Sequence, residues 1–335
     1  MAEGFVQEQR GRRSEEVAEE YLTKLVHRNL VQVNLNGMSK TFSVHDLVRE
    51  VILSNSEELG FCHISTDCST LQGIARHLSI INREGDNPKS RVKSQTRSLM
   101  VFSRKELQKP IIDAIFEKCK LLTTLDFESY ARGSSVKELR VEINRFSKLR
   151  YLLGLLKIHG SIEHLEFLQV LDVVRLDDNQ GLRLINELRM LKQLRKLGIV
   201  NFKRDYGRDL CTALERMTQL RSLYLRVVNG DEILELFDGY NGEKIHFEEG
   251  GFQKLKTLLL ARLNELKTMT IDKGAMPLIE SLAIGPCPQL KEVPSGIQHL
   301  KHLNELYFAG MSSEFTQRLS REQGEDYWIV KNVPI

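Results

Sequence analysis

Two spacings of apolar residues divide the chain. Up to Ile52 the pattern reads helix, hairpin, helix. Ser14 can cap a helix whose first turn carries Glu15 and Glu16, and Val17, Tyr21, Leu25 and Val26 follow at helical spacing until Asn29. Val31, Val33 and Leu35 then alternate as on a strand. Asn36-Gly37 signals a two-residue hairpin turn, because both positions tolerate positive φ, and Phe42 and Val44 share a face of the return strand. Ser43 is placed to cap a second helix, with Asp46 at the reciprocal capping position and Leu47, Val48, Val51 and Ile52 as an apolar stripe. These elements predict a small α+β winged-helix-like unit over 1–65.

From 70 to 335 the pattern becomes short LxxLxL triplets. "ARHLSI" (75–80) and "TRSLMV" (96–101) are weak, "LLTTLDF" (121–127) is better, "LRYL" (149–152) is half a match, "LQVLDV" (168–173), "LRKLGI", "LRSLYL" and "LKTLLL" are good, and "IESLAI" and "LNELYF" complete the series. The second anchors are Leu78, Leu99, Leu125, Leu152, Leu171, Leu197, Leu223, Leu258, Leu282 and Leu306. Most steps fall in the range of roughly 20 to 29 residues of leucine-rich repeats. The step from Leu152 to Leu171 is shorter. The step from Leu223 to Leu258 is longer, which fits an insertion around "NGDEILELFDGYNGEKIHFEEGG".

The competing reading is a helical solenoid or coiled coil, since "LINELRMLKQLRKL" could place Leu184, Leu188, Leu191 and Leu197 on one helix face. Two-residue steps such as Leu197 to Ile199 favour strands, because they put both side chains on one face. The predicted class is therefore an α/β leucine-rich-repeat solenoid with a curved parallel sheet, in which stacking supplies the core that one repeat lacks. Alternate strand residues then line the open face: Lys196, Gly198 and Val200; Ser222, Tyr224 and Arg226; Thr257, Leu259 and Ala261; Ser281 and Ala283; Glu305 and Tyr307. Tyr224, Arg226 and Tyr307 are its best protein-binding anchors by residue type, with Lys196 and Glu305 beside them. The end of the chain, with Tyr327, Trp328 and Ile329, is a candidate cap for the last repeat.

Charge changes this picture little. The 48 basic and 45 acidic residues of 335 leave a net +3, with no general pull toward nucleic acid or anionic lipid. Arg189, Lys192, Arg195, Lys203, Arg204 and Arg208 gather beside the middle repeats, and the segment after Asp231 is acidic; each reads as a solvated face or a docking surface. No apolar run is long enough to span a bilayer. The cysteines, Cys62, Cys68, Cys119, Cys211 and Cys287, form no zinc signature. Cys287 falls where a small inward side chain fits, which reads as a buried structural thiol. The sequence has no phosphate loop, no GxSxG and no metalloprotease helix, so an enzyme is not expected.

The opening "AEGFVQEQRGRRSEEVAEEYLTKLVHRNLVQV", the stretch "VHDLVRE" from Val44 and the repeats together resemble plant coiled-coil NB-ARC leucine-rich-repeat disease-resistance proteins, which are intracellular immune receptors. Val44 stands where that family has methionine, and His45 and Asp46 match its histidine and aspartate. The resemblance implies a cytoplasmic protein in which the histidine contacts bound ADP, exchange for ATP opens the receptor, and the repeats sense a pathogen effector, a guarded host protein or another receptor domain. It also implies a nucleotide-binding domain ahead of residue 1, which this chain lacks. No cofactor is therefore expected here, while ADP and ATP are implied for a full-length member. Readings of the His45-Asp46 pair are a piece of that latch, a plain helix cap and, disfavoured, a free-standing nucleotide site. The alternative function is a general leucine-rich-repeat scaffold or adaptor without an immune role. A DNA-binding winged helix is disfavoured, since the second helix sets Arg49 against Asp46 and Glu50.

Overall fold

The computed structural model describes residues 6, 14–36, 39–65, 75–82, 95–103, 117, 119–127, 139–176, 180–201, 206–226, 243–320 and 324–331. The expected sites at Gly37, Cys68, Lys203, Arg204 and Asp231 lie outside them, as do the side chains of Arg208 and Cys211. The chain forms two compact units, one of residues 1–135 with 148–151, the other of 136–147 with 152–335.

In the first unit, helix α1 (Ser14–His27) ends as its sequence suggests. Asn29 takes the left-handed conformation at φ 55°. The Asn29 N–H then donates to the Val26 carbonyl and the Leu30 N–H to that of Leu25, which together close the last turn. Strands β1 (Gln32–Asn36) and β2 (Ser39–Ser43) pair antiparallel from Gln32 opposite Ser43 to Asn36 opposite Ser39. The hairpin connection is therefore 37–38, one residue later than Asn36-Gly37.

Helix α2 (Asp46–Glu58) also begins later than expected. Its N-cap is His45, whose Nδ1 accepts from the Leu47 N–H at 3.4 Å, and Asp46 is the first helical residue. Ser43 instead ends β2, because the hairpin pairing holds it against Gln32. After α2, strands β3 (Cys62–Ser65), β4 (His77–Asn82), β5 (Ser98–Ser103) and β6 (Thr124–Asp126) pair in parallel in that order. The weak triplets thus form real strands, with Leu78, Ile80, Leu99 and Val101 buried, and Leu125 and Phe127 of the next triplet are buried as well.

In the second unit, β8 (Tyr151–His159), β9 (Val170–Arg175), β10 (Lys196–Val200), β11 (Ser222–Arg226), β13 (Thr257–Ala261), β15 (Ser281–Ile284) and β16 (Glu305–Phe308) lie side by side in that order. Strand β7 (Leu139–Glu142) pairs with the far half of β8. Each step from β9 onward uses one backbone device. The carbonyl before a strand accepts from two successive N–H groups of the next: Gln169 from Arg195 and Lys196, Arg195 from Arg221 and Ser222, Arg221 from Lys256 and Thr257, and so on to Glu280. A carbonyl has two lone pairs, so one acceptor serves both donors.

Every second-anchor leucine is at most 5% exposed, on strands throughout. Helices α3 (Gly181–Leu188) and α4 (Gly207–Glu215) fill the connections around β10. The helical stretch of "LINELRMLKQLRKL" stops at Leu188, and Leu197 belongs to a strand. Beyond β11 the connections carry strands instead: β12 (Lys244–Phe247) pairs parallel with β14 (Thr268–Ile271). Strand β12 lies within the insertion, and β14 within the ordinary step from Leu258 to Leu282.

Cys287 is fully buried, and burial pushes its thiol up to about 11, as expected of a structural cysteine. At the chain's end α5 (Ser313–Arg318) buries Phe315 against Phe308, and α6 (Tyr327–Val330) buries Val330, while Trp328 is exposed. The lock between them is Asp326, which accepts two bonds from the Arg318 guanidinium at 2.8 and 3.0 Å and one from the Val293 N–H at 3.2 Å.

Candidate functional site

Two places carry the expected site residues, and each is described within its own unit. In the first, His45 and Asp46 are both exposed at the start of α2. Among the described residues the imidazole is engaged only locally, as the cap on Leu47. The apolar stripe of α2 is exposed as well: Leu47 at 70%, Val51 at 61% and Ile52 at 49%. None of the helix's residues is buried.

In the second unit the open sheet face is built by register. Inward aliphatics alternate with outward residues along β11, β13 and β15, as the two-residue period demands. Tyr224, Arg226 and Tyr307 are half-buried on this face, and Lys196 and Glu305 are exposed.

Lys196 is already engaged, with its Nζ 2.6 Å from Asp172 Oδ1. The other carboxylate oxygen of Asp172 accepts from the Gly154 N–H at 3.3 Å, so one side chain ties β8, β9 and β10 together. The cause is a bulge. Leu171 sits opposite Leu197 and Val174 opposite Ile199, so Asp172 and Val173 share the single position facing Gly198. A Cβ on residue 198 would run into the Asp172 carbonyl oxygen, which makes glycine obligatory there.

The bulge corrects one sequence reading. Val174 takes the inward position expected for Val173. Val200 keeps the open-face position that its register with Arg226 gives it, yet is only 6% exposed.

The basic residues beside the middle repeats are in part structural. Arg189 at the end of α3 binds Asp209 in the first turn of α4 at 2.9 Å. Among the described residues no group of three or more His, Cys, Asp or Glu side chains is placed to hold a metal ion, and no helix is long and apolar enough to cross a membrane.

Comparison with known proteins supplies the context. Residues 1–52 match the family model described as "Disease resistance protein Winged helix domain". The chain is 25% identical over 462 aligned positions to Disease resistance protein RPM1 of Arabidopsis thaliana, covering 100% of this chain and 49% of that protein. It is 24% identical over 444 positions to Disease resistance protein RPP8 of the same plant, covering 96% and 48%. Disease resistance RPP8-like protein 3 is 30% identical over 126 positions, covering 38% and 12%. The chain thus spans about half the length of the relatives that it matches throughout. The matched proteins are named for disease resistance and none for a catalytic activity. The chain is a distant relative of plant disease-resistance proteins, with an N-terminal winged-helix region and a repetitive, mostly parallel β-solenoid.

Proposed function

We propose that this chain is the winged-helix and leucine-rich-repeat portion of a cytoplasmic plant immune receptor of the coiled-coil NB-ARC class, and that its repeats recognise protein. The winged-helix region occupies 1–65 and the leucine-rich repeats 70–335. The carrying observation is the open sheet face of the second unit, where Tyr224, Arg226, Glu305 and Tyr307 stand outward over an inward aliphatic core. Aromatic and arginine side chains on a rigid scaffold are the groups that dominate protein interfaces. The partner is a pathogen effector, a guarded host protein or another receptor domain.

Affinity capture from plant tissue tests this reading, with the wild-type chain set against a variant that replaces Tyr224, Arg226, Glu305 and Tyr307 by alanine. Proteins recovered by the wild type and lost with the variant are the expected result. Equal recovery by both overturns it.

His45 and Asp46 are the nucleotide-sensing pair of this reading, completed by a nucleotide-binding domain from outside this chain. The exposed stripe of α2 supports contact with such a domain, since an amphipathic helix in a stable assembly covers its apolar face. One imidazole already engaged as a helix cap offers ADP at most one charge-assisted contact. The 335-residue chain alone is therefore expected to give no heat of ADP binding by titration calorimetry. A clear 1:1 isotherm contradicts that expectation.

A further inference from the structure

Register across β11, β13, β15 and β16 arranges the open face in rows. Ser222, Thr257, Ser281 and Glu305 form the first, and Tyr224, Leu259, Ala283 and Tyr307 the second. Arg226 and Ala261 begin the third. Neighbouring strands lie about 4.8 Å apart, so three steps place the backbones of Tyr224 and Tyr307 about 14 Å apart. Only Leu259 and Ala283 stand between them in that row, both half-buried. Two tall aromatic side chains thus wall a floor of short ones, edged on one side by the hydroxyls of Ser222, Thr257 and Ser281.

The trough has one charge of each sign, at opposite corners. Arg226 ends β11 and Glu305 starts β16, roughly 20 Å apart by strand spacing and rise per residue. Among the described residues the side chain of neither has an ion-pair or hydrogen-bond partner. Other charges near this face are paired: Lys196 with Asp172, and Lys256 with Glu280. A half-buried guanidinium is satisfied best by a carboxylate, which its fork geometry matches.

We propose that the face between Tyr224 and Tyr307 receives an extended segment of a partner protein, which sets a bulky apolar side chain on Leu259 and Ala283, an acidic side chain at Arg226 and a basic side chain at Glu305. This rests on the protein-recognition reading above and adds the partner's chemistry. An extended chain advances about 3.3–3.6 Å per residue, so the acidic and basic residues stand about six positions apart with the apolar one near the middle. One arginine opposed by one glutamate gives a polyanionic backbone no purchase, which sets nucleic acid aside.

The test selects a random linear-peptide display library against the full 335-residue chain. Enriched peptides are then titrated against the wild type and the variants Ala283→Arg, Arg226→Glu and Glu305→Lys, with Leu182→Ala, exposed on α3, as a control away from the sheet face. Matching thermal melts verify that the variants fold. Enriched peptides are expected to share the acid, apolar, base order. Ala283→Arg is expected to weaken binding at least about tenfold by filling the floor. Arg226→Glu is expected to weaken it similarly and to be rescued by a peptide whose acidic residue becomes lysine, while Leu182→Ala changes nothing. Peptides without this order, no enrichment at all, or binding indifferent to the three trough substitutions overturn the proposal. Binding lost with Leu182→Ala alone also overturns the trough, yet leaves protein recognition by the solenoid standing.

Discussion

Leu282 and Leu47 are the same side chain with opposite fates. Leu282 is fully buried in β15, and Leu47 is 70% exposed on α2. In the second unit each inward leucine is paired in register with another one repeat on, Leu223 with Leu258, Leu258 with Leu282 and Leu282 with Leu306. A repeat therefore finds its hydrophobic partner in its own chain. The stripe of α2 has the spacing of a core-facing helix without the core. Periodicity reports that a face is apolar; it does not report what covers it.

The sharpest break in that comparison is a truncation at each site. Leu282→Ala is expected to lower the stability of the solenoid by about 2–5 kcal/mol, through lost transfer energy and the cavity left behind. Leu47→Ala is expected to stay within about 0.5 kcal/mol, because water already reaches the side chain. Urea denaturation of both variants reads the difference. Equal losses would mean that the stripe is covered in solution.

A smaller effect is expected at the terminal cap. Burial pushes the Asp326 carboxyl up, but the Arg318 guanidinium and the Val293 N–H outweigh it and hold the group below the usual carboxylate range. A carboxyl lowered in the folded state contributes stability that is present above its unfolded value, about 3.9, and lost as pH falls through the folded one. Asp326→Asn should thus cost about 1–3 kcal/mol at neutral pH, on the scale of hydrogen bonds to a charged group. The gap between variant and wild type should close below about pH 4. Thermal melts across that range check the sign.

The smallest effect belongs to His45. Its bond to the Leu47 N–H is long at 3.4 Å, so His45→Ala should cost less than about 1 kcal/mol by urea denaturation of the first unit.

Much of the solenoid was legible because a two-residue step between aliphatics has one cheap solution, a strand with both side chains inward. That held even for "ARHLSI" and "TRSLMV", where alanine and threonine stand at the first anchor. Local irregularities were not legible. The β9 bulge adds a residue between Leu171 and Val174 without a turn signal, and it exchanged Val173 for Val174 in the core. Gly198 was the available clue, since a strand glycine marks a close backbone approach. The engagement of Lys196 by Asp172 could not be read from sequence either, because it depends on that bulge. The start of α2 was misplaced because Ser43 and His45 both lie where an acceptor can cap a helix, and hairpin pairing decided between them.

The most direct measurement of the central claim is site-specific photo-crosslinking in plant tissue, with a benzoylphenylalanine placed in turn at Tyr224, Tyr307 and Leu182, the last being exposed on α3. The account predicts that positions 224 and 307 crosslink the same protein while position 182 does not. Crosslinks from 182 alone, or equally from all three, would contradict a recognition surface on the open sheet.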